Sequence, residues 1–211
     1  MNDNFSNYDK MKKITSKNFL ENDQEKMIEK FRLIHNDEYI YVNFVGRLYR
    51  IERATGKTEW SDDDFATINE AGFNEVMTMY DVLCNAKDNC RSSNEFVHLN
   101  SLSLIKGGAL PPKDNFFQKY ADFFDVKTNL SKKSCEALRG EVFSPGDLAY
   151  KLKMFDFLEV SIHFWNSDDE FAPSLQILTD KNILDFMHYE TLMFALSHLM
   201  ERLKEEAIKF E

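Results

Sequence analysis

The stretch from Ser144 to Asp180 constrains the fold most strongly. Its apolar residues recur at a spacing of two. Tyr150, Leu152 and Met154 share one side of a segment, with Lys151 and Lys153 on the other. Val160, Ile162 and Phe164 share one side of the next, whose other side carries Glu159, Ser161, His163 and Trp165. Only an extended chain puts alternate residues on one face, so the pattern predicts strands. Ser144-Pro145-Gly146-Asp147 is turn chemistry at the entrance. Asn166 to Glu170 reads as a polar loop, and Leu175 and Ile177 mark a return strand. Pro173 has no N–H to donate, which places that end at an edge or outside the ladder.

The same period appears earlier. Ile40, Val42 and Phe44 alternate with polar or half-polar neighbours. Gly46-Arg47 can turn the chain tightly, because glycine tolerates positive φ. Leu48 to Ile51 returns, and a second turn at Ala54-Thr55-Gly56-Lys57 leads to Thr58-Glu59-Trp60. This is a three-stranded meander by pattern.

Elsewhere the spacing is helical. From Asp23, residues Met27, Ile28, Phe31 and Ile34 form one stripe, closed by His35. Phe73, Val76, Met77, Tyr80, Leu83 and Cys84 predict a helix from Asn69 to Ala86. Asp114 is read as the N-cap of a short helix bearing Phe117, Tyr120, Ala121 and Phe124. A further helix from Ser131 to Arg139 meets its C-cap glycine at Gly140. Tyr189 to Lys209 is a long helix striped by Leu192, Leu196, Leu199 and Leu203. Glu95 to Leu104 alternates weakly, and Gly107-Gly108 with Pro111-Pro112 punctuates a loop. The first 22 residues have no clear period and read as a polar N-terminal arm. The remainder, 23–211, reads as a single α+β domain: antiparallel meanders and hairpins packed against several helices, with a long C-terminal helix.

Charge and composition narrow the function. Twenty-six basic against 36 acidic side chains give a net charge of −10. A field of that sign repels phosphate backbones, so nucleic acid is not an expected partner. No stretch approaches 18 uninterrupted apolar residues, so no membrane span is expected, and the polar start MNDNFSNYDK lacks the apolar core of a signal peptide. Cys84, Cys90 and Cys135 form neither a disulfide framework nor a Cys-x-x-Cys pair, which fits a reducing cytoplasm. No P-loop, dinucleotide fingerprint or Gly-x-Ser-x-Gly elbow occurs. No cofactor is expected.

Several features together resemble a family of uncharacterised prokaryotic domains of unknown function, common in anaerobic bacteria and archaea. They are the Gly146-Asp147 turn, the strand ending at Phe164-Trp165, the run Asp168-Asp169-Glu170-Phe171-Ala172-Pro173, and Ile177-Leu178-Thr179-Asp180. Phe44 to Ile51 is similar to the family's early hairpin, Phe96 to Gly108 to its middle segment, and Glu190 to Leu203 to its closing helix. The resemblance spans roughly 25–205. Phe155-Asp156-Phe157 and Thr179 depart from the pattern. Iron–sulfur segments joined to some relatives have no cysteine counterpart here. The resemblance implies a fold and supplies no mechanism.

The candidate site is His163, Trp165, Asp168, Asp169 and Glu170, with Asp180 expected near them across the hairpin. A histidine, several carboxylates and an aromatic wall suit acid–base chemistry or a divalent cation. The competing reading is a solvated acidic loop, with Trp165 packed on a helix and Glu170 accepting backbone N–H bonds. Asp62-Asp63-Asp64 is read as a capping or loop run and not as a metal site. His188 is read as part of the capping region of the last helix. The leading functional expectation is a non-enzymatic module that binds a small ligand or a protein partner beside Trp165. The alternatives are a metal-assisted hydrolase or transferase using the acidic loop, and a self-associating scaffold.

Overall fold

Helices and antiparallel strands interleave along the chain in the order αα, five strands, α, one strand, αα, four strands, α. A computed structural model describes residues 7–102 and 117–211. Gly107-Gly108, Pro111-Pro112 and the N-cap reading of Asp114 lie outside the described residues. The α+β class read from the pattern holds. The chain clusters into two compact units, one within Met1–Arg91 and Asp185–His198, the other within Ser92–Leu184 and Leu199–Glu211.

In the first unit, β1 (Ile34–His35), β2 (Tyr39–Phe44), β3 (Arg47–Glu52), β4 (Thr58–Ser61) and β5 (Asn69–Glu70) are paired antiparallel, each to the next. The predicted meander is β2–β3–β4. Val45 and Gly46 take φ of 48° and 68° between β2 and β3. Positive φ at both central residues is what lets a two-residue turn follow the strand twist. Ile40, Val42 and Phe44 are buried, as are Tyr49 and Ile51 opposite. On the other face Arg50 meets Glu59 at 2.8 and 3.0 Å, directly across the ladder. Arg47 lies 3.5 Å over the Trp60 ring.

Three boundaries differ from the periodicity. Helix α1 (Asn7–Glu21) occupies most of the stretch read as a period-less arm. Phe19 is its sole fully buried side chain, so its apolar signal is dilute. It is anchored by polar contacts instead, Lys12 donating to Glu70 and to the Ala71 carbonyl at 2.7 and 2.9 Å. Helix α2 (Gln24–Phe31) begins just after Asp23, whose carboxylate caps it by accepting the Lys26 N–H. It stops at Arg32, which turns left-handed (φ 52°). Ile34 and His35 therefore belong to β1, not to the helix face, and Ile34 is exposed. Helix α3 (Phe73–Asn85) starts four residues later than its stripe suggested, because Asn69 and Glu70 pair with β4 and Gly72 caps the helix.

The second unit holds β6 (Phe96–His98), helices α4 (Gln118–Val126) and α5 (Thr128–Ala137), and β7 (Glu141–Val142), β8 (Leu148–Phe155), β9 (Leu158–Trp165) and β10 (Ser174–Asp180). The ladder runs β7–β8–β9–β10–β6, all antiparallel. Val160, Ile162 and Phe164 are buried as predicted, and the Phe124 ring of α4 meets Phe164 edge-on. Pro173 falls just outside β10. At the end of α5 the left-handed residue is Arg139 (φ 58°), and Gly140 follows it, donating to the Cys135 carbonyl at 2.8 Å. Gly140 is needed for close approach: a Cβ there would lie 2.8 Å from that carbonyl and from Leu152. Helix α6 (Tyr189–Ile208) supplies residues up to His198 to the first unit and the rest to the second.

Candidate functional site

The hairpin of β9 and β10 places Trp165 opposite Ser174, so residues 166–173 form its connecting loop. His163 and Trp165 lie on one strand face with ring centroids 6.2 Å apart and nearly parallel, as alternation predicts. His163 is only 4% exposed. Its Nδ1 is 2.7 Å from the Pro145 carbonyl, which can only accept, so Nδ1 carries the proton. In the neutral ring Nε2 is then the acceptor and takes the Ser161 hydroxyl at 3.0 Å. Both ring nitrogens are therefore engaged inside the protein.

The loop is tied at its base. Asp147 accepts the Asn166 N–H at 2.8 Å, and the Asn166 side chain meets the Thr128 hydroxyl at 2.8 Å. Asp125 accepts the Ser167 N–H and hydroxyl at 2.7 and 2.6 Å, and those hydrogen bonds hold its pKa below the usual carboxylate range. Asp168, not Glu170, accepts backbone N–H groups, from Glu170 and Phe171 at 2.8 and 2.7 Å. Asp169, Glu170 and Phe171 are exposed at the tip, Phe171 to 68%.

Asp180 does not join this cluster. Ser174 stands opposite Trp165 and Thr179 opposite Val160, so Asp180 is six residues down the strand, about 20 Å from the loop at the rise of a β-strand. It is 1% exposed. Its carboxylate accepts the Ser92 hydroxyl, the Ser93 N–H and hydroxyl, and the N–H groups of Asn94 and Asn182, at 2.5 to 3.1 Å. Burial alone raises its pKa; the donors outweigh that and lower it.

Two polar clusters in the first unit lie on helix faces where a stripe analysis sees only core. In one, the Tyr49 hydroxyl donates to Glu75 at 2.6 Å and lies 3.2 Å from His198 Nε2, with Phe44 stacked on the imidazole. Burial first, then the Glu75 charge, push the Tyr49 phenol far above its ordinary pKa. Glu75 also reaches back to the Gly72 N–H, so it caps α3.

The second cluster joins α3 to the start of α6. Asp81 is 7% exposed. It accepts the His188 N–H and Nδ1, both at 2.7 Å, and the Asn85 amide at 2.8 Å. Burial raises the Asp81 pKa, and these donors bring it below the ordinary value. The His188 side chain is 67% exposed. It borders a cleft of about 520 Å³ between α1, α3 and the α6 start, whose walls include Lys17, Asn18, Glu21, Met77 and Asn85. His188 stands just before α6, and its carbonyl accepts the Leu192 N–H at 2.9 Å. Asp81 was hidden because it sits one residue from Tyr80, on a helix read for its apolar face.

A family model described as "Domain of unknown function (DUF3786)" matches residues 23–202. That span is most of the chain, so the chain belongs to this family. No curated protein and no solved structure matches it.

Proposed function

We propose that this member of a family without an assigned activity is an accessory module that binds a protein partner, with Asp169-Glu170-Phe171 as its recognition element. One observation carries the reading: a loop whose base is fixed by Asp125, Asp147 and Asp168 presents an aromatic ring that is 68% exposed. A tied loop loses little conformational entropy on binding. A projecting aromatic is the type of side chain that anchors an interface, and two adjacent carboxylates favour a basic surface around its pocket. His163 has no spare ring nitrogen, which favours recognition over acid–base turnover at this loop.

The test is affinity capture with the wild-type chain, followed by titration of the captured partner. Phe171→Ser is expected to weaken binding at least tenfold. Asp169→Asn with Glu170→Gln is expected to flatten the salt dependence. A partner that binds all three proteins equally well refutes the assignment of the tip.

A further inference from the structure

We propose that Asp81 and His188 form a proton-transfer pair in a second functional site, in the first unit, and that the cleft beside them takes a small carboxylic ester. The inference is independent of the recognition loop, which lies in the other unit. Its basis is the arrangement of the imidazole. The Asp81 carboxylate can only accept, so Nδ1 of His188 is the protonated nitrogen at 2.7 Å. A neutral imidazole fixed in that tautomer presents Nε2 as a base. Among the described residues no partner occupies Nε2, and the side chain opens to the cleft. The two histidines thus differ: His163 is buried with both nitrogens used, whereas His188 is oriented through one nitrogen and open at the other.

The need to satisfy a backbone N–H at the start of α6 by itself explains why Asp81 accepts the His188 N–H. It does not require the second bond, to the ring. A buried carboxylate that grips both the backbone and Nδ1 of one residue leaves the imidazole little freedom to turn, which is the role an orienting acid plays for a general base. The cleft is in the size range of small-molecule sites. Its titratable walls are Lys17 and Glu21 from α1 and Tyr80 and Asp81 from α3. The donors on its walls that can face a developing oxyanion are Lys17, which lies 3.8 Å from Glu21, the amides of Asn18 and Asn85, and the Thr191 hydroxyl. In the step inferred, Nε2 takes a proton from water as the water oxygen bonds to the ester carbonyl carbon. The tetrahedral adduct collapses, the carbon–alkoxide bond breaks, and the alkoxide receives the proton from Nε2. The products are an acid and an alcohol, and no redox partner is needed.

The probe is p-nitrophenyl acetate with the full chain, from pH 5 to 9. Saturable hydrolysis at least tenfold faster than equimolar free imidazole is expected, rising through one ionisation. His188→Gln should bring the rate to that of imidazole or below. Asp81→Asn, which removes the orienting charge, should lower kcat more than KM and displace the pH profile, effects that a purely structural contact would not produce. NMR of the wild-type chain gives a check that needs no variant: the His188 imidazole should show Nδ1 protonated when neutral, and should titrate at the kinetic pKa. No rate above imidazole, an unchanged rate in His188→Gln, or a kinetic pKa that differs from the His188 titration overturns the proposal.

Discussion

Replacing Asp180 by alanine tests whether this carboxylate is a structural staple. The side chain is 1% exposed and accepts from three backbone N–H groups and two hydroxyls. A hydrogen bond to a charged group is worth about 1.5 to 3 kcal/mol, more when its loss strands a buried donor. The Ser92 and Ser93 hydroxyls can rotate to water and lose little. Three amides at the low end sum to about 4.5 kcal/mol. Water reaches the exposed Asn94 side of the loop, so the expected loss is roughly 3 kcal/mol. Asn keeps one accepting oxygen and should cost roughly 2 kcal/mol. Urea unfolding measures both, and amide exchange should quicken at Ser93, Asn94 and Asn182. The pH dependence has a definite sign. The folded pKa is depressed, so the stabilisation is complete above the unfolded value of about 3.9 and fades as pH falls through the lower folded value. Asp180→Asn should therefore flatten the loss of stability below about pH 4. A loss under about 1 kcal/mol, with exchange unchanged at those amides, refutes the reasoning.

Other substitutions divide in the same way between engaged and free groups. His163→Ala should cost about 2 to 4 kcal/mol, since it removes a buried ring with two hydrogen bonds, whereas Glu170→Ala at the exposed tip should stay within about 0.5 kcal/mol; paired urea titrations decide. Tyr49→Phe should destabilise by about 1 to 2 kcal/mol because Glu75 loses a donor in a buried setting, and a wild-type midpoint would refute it. Arg139→Gly should raise stability by about 1 kcal/mol, because the exposed left-handed position after α5 costs an arginine but not a glycine.

Strands were the most legible part of the sequence, because a face-alternating pattern such as Val160, Ile162, Phe164 has one meaning. Helix α3 was legible in type but not in start, since strand pairing by Asn69 and Glu70 is a tertiary event that no local period reports. Helix α1 was missed because its docking depends on Phe19 and on Lys12 reaching a carbonyl, and neither makes a stripe. The candidate site was half legible. Alternation correctly put His163 beside Trp165, but register decides where Asp180 goes. A strand seven residues long carries its two ends to opposite ends of the sheet, and a sequence shows only an acidic loop before the strand and an aspartate at its last position.

The distribution of carboxylates explains why acidic density alone is a poor guide to a site in this chain. Asp125, Asp147, Asp168 and Asp180 each close a loop or a turn by accepting N–H groups, and a carboxylate used that way has little capacity left for a ligand. Asp62 and Asp63 follow the same rule: Asp62 pairs with Arg47, and Asp63 accepts the Ser61 hydroxyl and the Thr67 N–H. The chain has 7 glycines among 211 residues, and among the described residues six non-glycine residues take positive φ, so polar side chains must hold those turns closed. Function is therefore better sought where orientation and availability coincide. The Phe171 tip, held from below and exposed above, meets that criterion, and so does His188, fixed at Nδ1 by a buried carboxylate and open at Nε2 beside a cleft. Loop density marks the first and not the second, because Asp81 and His188 are 107 residues apart in sequence and meet only when α3 and α6 pack together.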